Sequence, residues 1–336
     1  MITSLPVAYT TTTTTTTITA IIAISIFSLV NYYFYNFLVT PTVSAEPVLD
    51  DQGIIMYNYS EVQGSVYNPL ILASWGLEYY AKYENTGDKQ SKEYFINTAN
   101  WLVDNAKDKE EGKYSIWEYN FKWPWYDGVK PPYYSAYAQA IGIVVLARAY
   151  DLTNNQTYLD EAKKAFQSFL VDYDKGGVMT TEDNGESIFL HELVKPGFQK
   201  TYILNGHTGS LLHIWQYYEL TNDPQAKSIF DKGINYLKHN LLKYDTGLWS
   251  RYDQTLIHEL ENLSSDVYHK IHTEHLKTLY SISGEPILKE YEERFNKYLA
   301  NSPLINDKRE LVEKLKQKDF DKETRESFLQ ISKLPD

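Results

Sequence analysis

Four stretches of this chain are apolar along most of their length, and each leads through a short polar turn into a stretch whose apolar residues fall on one helical face. The apolar stretches end in LEYYAKYE, VLARAYDL, IWQYYEL and LKTLYSI. The turns read Asn85-Thr-Gly-Asp88, Thr153-Asn-Asn-Gln156, Thr221-Asn-Asp-Pro224 and Ser283-Gly-Glu-Pro286. The amphipathic stretches are SKEYFINTANWLVDN, YLDEAKKAFQSFL, AKSIFDKGINYLKHN and ILKEYEERFNKYL. Each pair predicts a helical hairpin. The turns recur after 68, 68 and 62 residues, a period longer than that of common solenoid repeats. A hairpin cannot bury its apolar stripe alone, so repeated hairpins stack or close into a ring. The pattern predicts an all-α fold: an α/α toroid of about four hairpins, with short β-hairpins in long loops at one mouth.

The hairpins are expected at about 69–106, 134–172, 202–243 and 267–301, within a domain spanning 67–302. Three long connections separate them, at 107–133, 173–201 and 244–266. Loops this long inside a compact domain are usually functional. The second, through Ser187-Ile-Phe-Leu-His191, alternates as a short strand does, and the third, Tyr244 to Asp253, reads as a β-hairpin. Residues 40–66 read as a linker, and 303–336 as a charged helical tail.

Ahead of the repeats stands a span of a different kind. Ile18 to Val39 carries no charge over 22 residues, about 33 Å as a helix, which is enough to cross a bilayer. Tyr32, Tyr33 and Tyr35 lie near one end, and a Thr-rich low-complexity segment fills residues 1–17. The reading taken is an uncleaved transmembrane anchor. Val43-Ser44-Ala45 keeps a cleaved signal peptide open as the rival. Glu46, Asp50 and Asp51 follow the span and no Lys occurs before Lys82, so the toroid is expected on the extracytoplasmic side.

Composition narrows the partners. A net charge of −12 argues against nucleic acid. The absence of cysteine removes disulfides and thiolate metal sites. Thirty tyrosines make any one of them a poor catalytic candidate on composition alone. No phosphate-binding loop, dinucleotide fingerprint or HExxH motif occurs. His272 and His275 share a helix face but lack a third metal ligand nearby in sequence.

The mouth loops hold the remaining candidates. Trp125, within Trp123-Pro-Trp-Tyr126, offers a stacking face for a sugar or a cap on the core. Glu192 is either a solvated loop charge or, if burial raises its pKa, a general base. Arg251 beside Tyr252 is either a surface cation or a clamp for a substrate carboxylate.

Four segments resemble the C-terminal catalytic domain of D-glucuronyl C5-epimerases, which convert glucuronate to iduronate in heparan-type polysaccharides. Asn68 to Leu77 is similar to the family's opening helix. Tyr134-Ser-Ala-Tyr-Ala-Gln139 with Ala147-Arg-Ala-Tyr150 resembles YSAMAQG…VRAY. Tyr202-Ile-Leu-Asn-Gly206 with Ser210-Leu-Leu212 resembles FVLNG…SL. Tyr244-Asp-Thr-Gly247, Tyr252-Asp253 and Tyr268-His-Lys-Ile-His272 resemble YDTG…YD and YHTTH. The resemblance covers roughly 65–300. It implies proton removal and return at C5 of a uronate, on a uronate-containing glycan, with no cofactor.

The resemblance also implies site residues. Tyr252 and Tyr268 take the places of the family's tyrosines, and Glu192 that of the glutamate in its EEYP segment. Leu193 stands where that segment has tyrosine, and Gln254-Thr255 where an arginine is expected. Glu192 and one tyrosine would act on opposite faces of the sugar. Arg251, Asn205, His272, Tyr134, Gln139 and Trp125 would bind substrate. Other expectations on the same scaffold are a uronate lyase or glycoside hydrolase, the latter using Glu192, Asp253 or Asp127, and a non-catalytic glycan-binding surface protein.

Overall fold

A computed structural model describes residues 47–58, 64–122, 128–255 and 262–301. Eight helices among them pair into four hairpins: α1 (Pro69–Thr86) with α2 (Lys89–Asn105), α3 (Ala136–Thr153) with α4 (Gln156–Phe166), α5 (Leu204–Thr221) with α6 (Pro224–Asn240), and α7 (Asp266–Ser283) with α8 (Pro286–Asn301). The first helices of successive hairpins pack side by side, α1 on α3, α3 on α5 and α5 on α7. They form the inner layer, and their partners form the outer one.

The sequence pattern explains the two layers. Helix α3 is buried without a break from Ala136 to Ala147, as a helix covered on all sides must be. The outer α2 buries Phe95, Thr98, Ala99 and Leu102 on one face and leaves the rest polar. Two inner glycines admit large rings. A Cβ at Gly142 would lie 2.4 Å from the Trp117 ring, and one at Gly209 would lie 2.3 Å from that of Tyr137.

One local design closes all four hairpins. Gly87, Asn154, Asn222 and Gly284 adopt the left-handed conformation, and their N–H groups donate to the carbonyls of Tyr83, Tyr150, Tyr218 and Tyr280 at 2.7–2.8 Å. Just before them, the hydroxyls of Thr86, Thr153, Thr221 and Ser283 donate back one turn at 2.6–2.7 Å. The same hydroxyls accept the N–H of Asp88, Asn155, Asp223 and Glu285. Asp88, Asn155 and Asp223 in turn cap the following helix with their side chains. The predicted turns at 85–88, 153–156, 221–224 and 283–286 coincide with these breaks.

Residues expected to be a linker form an antiparallel sheet instead: β1 (Pro47–Leu49), β2 (Ile55–Asn58) and β3 (Ser65–Val66). Gly53, at φ +77°, turns β1 back into β2, and the Asp50 carboxylate accepts the N–H of Gln52 and Ile54 across that turn. Ile54, Ile55 and Tyr57 then join the core.

Because each hairpin returns the chain, the short turns lie at one pole and the long connections at the other. The first connection pairs β4 (Lys107–Lys109) with β5 (Tyr114–Ile116), and the second pairs β6 (Met179–Glu182) with β7 (Ser187–Leu190). The expected hairpin over 244–253 reduces to a single bridge, Asp245 to Ser250, with the turn held by the Thr246 hydroxyl. Residues 1–17, the apolar span 18–39 and the tail 303–336 lie outside the described residues. Among those described, no helix is long and apolar enough to cross a membrane.

Candidate active site

Inner helices α1, α3 and α7 begin alike, with Asn68, Ser135 and Ser265 accepting first-turn N–H groups. Helix α5 differs. Ile203 occupies its cap position and gives no side-chain bond. The Leu204 N–H reaches across to the Tyr252 carbonyl at 3.0 Å. The next residue, Asn205, donates its amide N–H to Glu192 Oε2 at 3.2 Å. Gly206 makes room for that carboxylate: a Cβ there would lie 2.3 Å from Glu192 Cβ and 2.4 Å from Oε2.

Glu192 is 7% exposed. Loss of hydration pushes its pKa up to about 7, and the bond from Asn205 opposes the rise. The bend that carries it, just after β7, is fixed on both sides. His191 donates to the Val178 carbonyl and accepts from Ala136 at the start of α3, and Val194 pairs with Tyr134 in both directions.

Two phenols complete the constellation. Tyr268 lies in the first turn of α7, with its ring centroid 4.8 Å from that of Tyr252 and the planes 63° apart. Burial raises the Tyr268 pKa, the nearby Glu192 charge adds to the rise, and hydrogen bonding with Tyr252 opposes it. Tyr137 from α3 is buried and raised by the same two effects, burial first and then Glu192, with Tyr268 a third cause. Tyr57 from β2 is close enough to contribute to the rise at Tyr268. The site therefore holds a carboxyl poised near neutrality and phenols that stay protonated there.

The structure brings Glu192, Asn205, Tyr252 and Tyr268 together. Arg251 is buried beside Tyr252, its backbone bridged to Leu263. His272 lies one turn below Tyr268, with Nδ1 2.9 Å from the Ser250 hydroxyl. Two expected substrate contacts lie elsewhere. Gln139 is fully buried, with Oε1 accepting from Trp117 N and Nε2 donating to Ser115 O and Ser168 Oγ, so its amide serves the core. The Tyr134 hydroxyl donates to the Gly176 carbonyl at 2.6 Å, in a cleft of about 410 Å³ lined also by Lys109, Lys175 and Lys195. Trp125 lies outside the described residues.

Sequence reasoning missed Tyr137 and Tyr57. Tyr137 sits inside the quoted Tyr134–Gln139 motif, where the family pattern has methionine. That departure was the available signal. Tyr57 comes from a sheet read as linker and left no local one.

The family model for the D-glucuronyl C5-epimerase C-terminus matches residues 109–297, more than half of the chain. The chain belongs to the D-glucuronyl C5-epimerase family. The matched residues run from β4 to α8 and include Glu192, Tyr252 and Tyr268. The D-glucuronyl C5-epimerase of Caenorhabditis elegans is 29% identical over 228 residues, 62% of this chain and 35% of that enzyme, so the match spans about a third of the relative's length. An uncharacterized protein of Methanocaldococcus jannaschii is 25% identical over 226 residues, 64% of this chain and 71% of the relative. Among solved structures, a family 105 glycoside hydrolase of C. acetobutylicum superposes with a TM-score of 0.50 at 13% identity, covering 83% of this chain and 76% of the other. That likeness is one of fold: two layers of paired helices in a toroid-like arrangement. In this C5-epimerase family member Glu192, Tyr252 and Tyr268 gather at one end of the helical scaffold, and Leu193, the residue after Glu192, is wholly buried.

Proposed function

We propose that this chain is a uronate C5-epimerase acting on a glucuronate-containing polysaccharide. The observation that carries the reading is the meeting of buried Glu192 with the Tyr252–Tyr268 pair. Epimerisation at C5 needs a base on one face of the sugar and a proton donor on the other. As a carboxylate, Glu192 takes the C5 proton, and the bonding electrons pass into the adjacent substrate carboxylate as an enolate-like system. A neutral phenol of the tyrosine pair then returns a proton from the opposite face. Arg251 is our candidate for holding the substrate carboxylate, and the first turn of α5 supplies N–H groups near the developing charge.

A base with a pKa of about 7 combines substantial ionisation at neutral pH with adequate strength. Activity is therefore expected to rise with pH through about 7 and hold well beyond it, because the phenol donor stays protonated. A hydrolytic reading finds less support. Asp253, the acid next to Tyr252 in sequence, has Oδ1 engaged by the N–H and hydroxyl of Thr255. We also propose that residues 18–39 anchor the enzyme in a membrane with the site on the extracytoplasmic side. Carbonate-resistant membrane association of the full chain, lost when those residues are deleted, is the expected result, and retention without them counts against the anchor.

Incubation of the chain with glucuronate polymers in deuterated water tests the chemistry. An epimerase places deuterium at C5 and yields the inverted uronate without cleaving the chain. Ultraviolet-absorbing unsaturated ends would identify a lyase, new reducing ends a hydrolase, and binding without either a non-catalytic module.

A further inference from the structure

Below Glu192, the packed faces of α5 and α7 carry three buried atoms that have no hydrogen-bond partner among the described residues: Asn205 Oδ1, His272 Nε2 and His275 Nε2. The surrounding hydroxyls admit one arrangement in which both imidazoles carry their proton on Nδ1. Thr208 gives its single hydroxyl proton to a backbone carbonyl, that of Leu204 at 2.9 Å or Asn205 at 3.3 Å. Its 2.8 Å contact with His275 Nδ1 therefore uses the proton of the imidazole. Ser264 donates to the Ser250 carbonyl, so Ser250 supplies the proton in the 2.7 Å contact between the two hydroxyls or turns it to His269 Nδ1. In either of these two placements the Ser250–His272 contact takes its proton from His272 Nδ1. In that arrangement both histidines are protonated on Nδ1 and bare at Nε2. Burial holds both neutral.

The register follows from the helices. Inner helices run in the same direction, and the Thr208–His275 contact sets α5 against α7. Asn205 and His272 each stand three residues earlier, so they face each other one turn nearer the mouth. Farther in, His213 gives its Nδ1 proton to the Gly209 carbonyl at 2.8 Å. The Tyr137 ring lies beside these histidines, with centroids 5.7 Å from His213 and 6.5 Å from His275. Bare acceptors facing one another in that arrangement call for a molecule that donates twice, because an acceptor left unmet in a core is destabilising. Water is the small molecule that donates twice and fits among polar atoms of this kind.

We propose that the α5–α7 seam holds a chain of bound water that exchanges the proton of Glu192 with solvent from beneath while glycan covers the mouth. The proposal rests on the epimerase reading. In the step itself, protonated Glu192 passes the proton taken from C5 to the first water, which hands one of its own onward. The carboxylate that remains can accept a solvent-derived proton by the same route, and no charge or atom is gained. His272, His275 and Asn205 are positioning residues in this account.

The test compares two products in deuterated water: deuterium at C5 of recovered, uninverted glucuronate, and inverted product. His275→Leu is expected to lower the ratio of the first to the second by about fivefold or more, because proton return from Glu192 then outruns exchange. His275→Asn, which keeps an acceptor, is expected to restore it. A merely structural histidine would depress both products together, and an unchanged ratio in an active His275→Leu enzyme overturns the relay. Imidazole nitrogen spectra of the wild-type chain need no variant and no substrate. They should show His272 and His275 protonated on Nδ1 alone, with magnetisation transfer from water at those rings. An Nε2–H form at either residue overturns the proposal. Failure to turn over any glucuronate polymer would instead remove the epimerase reading on which the relay depends.

Discussion

At the pole where the hairpins turn, the chain solves one problem four times with nearly the same residues. A tyrosine carbonyl, a Ser or Thr hydroxyl and a left-handed Gly or Asn close each inner helix, and an Asp or Asn opens three of the four outer ones. At the opposite pole the inner helices share a start only up to a point. Three are capped by their own Asn or Ser, whereas α5 opens on Ile203 and turns its first residues toward Tyr252 and Glu192. The difference separates two demands. Capping satisfies orphan N–H groups and stabilises a helix wherever it lies. Leaving the α5 end without a side-chain cap lets another part of the chain place a carboxylate there, at the expense of burying a group that prefers water.

Several substitutions separate the poles. The largest expected effect is on catalysis: Glu192→Gln should lower kcat by about 10³-fold, since it removes the base and keeps the shape. Gly206→Ala comes next. In a helix interior alanine is normally favoured over glycine by about 1 kcal/mol, yet here its Cβ meets the Glu192 side chain, so we expect about a hundredfold loss of kcat/KM.

Third is a stability effect measured by denaturant titration of Glu192→Gln against wild type across pH. The folded carboxyl has its pKa raised to about 7, above the ordinary 4.5, so below about 4.5 burial costs the neutral group no ionisation penalty. As pH rises through that window the wild type loses up to about 3 kcal/mol that the glutamine variant keeps. The variant should be the more stable at pH 8, with the gap closing by pH 4, and a gap independent of pH would contradict a raised pKa. The smallest effect belongs to the turn pole. Asp223→Ala removes the cap of α6 and should cost about 1 kcal/mol of stability with kcat/KM unchanged. A kinetic defect there would show that the two poles are coupled.

The turn pole was legible because its signals are local: helix periodicity, Ser/Thr–Gly/Asn turns and caps occupy a few consecutive residues. The mouth was legible only in part. Ser187–Leu190 reads as a strand, but Ile55–Asn58, equally short, lies ahead of the first repeat and reads as part of a linker. Glu192 between His191 and Leu193 shows nothing of its burial, which comes from Asn205, Gly206 and Tyr137 on other helices. Tyr134 and Gln139 take up packing contacts: one ties the start of α3 to the segment after β7, and the other joins β5 to the turn after α4. Tyr137 looked like one more covered position on a helix buried on every side, in a chain with thirty tyrosines.

The most direct test of the central claim is C5 deuterium exchange by Tyr252→Phe and Tyr268→Phe, measured beside glycan affinity. Each change removes one phenol oxygen and keeps the ring that packs against its neighbour. The expected result is loss of exchange leading to inversion in at least one variant, by about a hundredfold or more, with affinity for the glucuronate polymer held within a few-fold. Full inversion in both variants would contradict the two-face mechanism and leave the pair as ordinary members of a tyrosine-rich core.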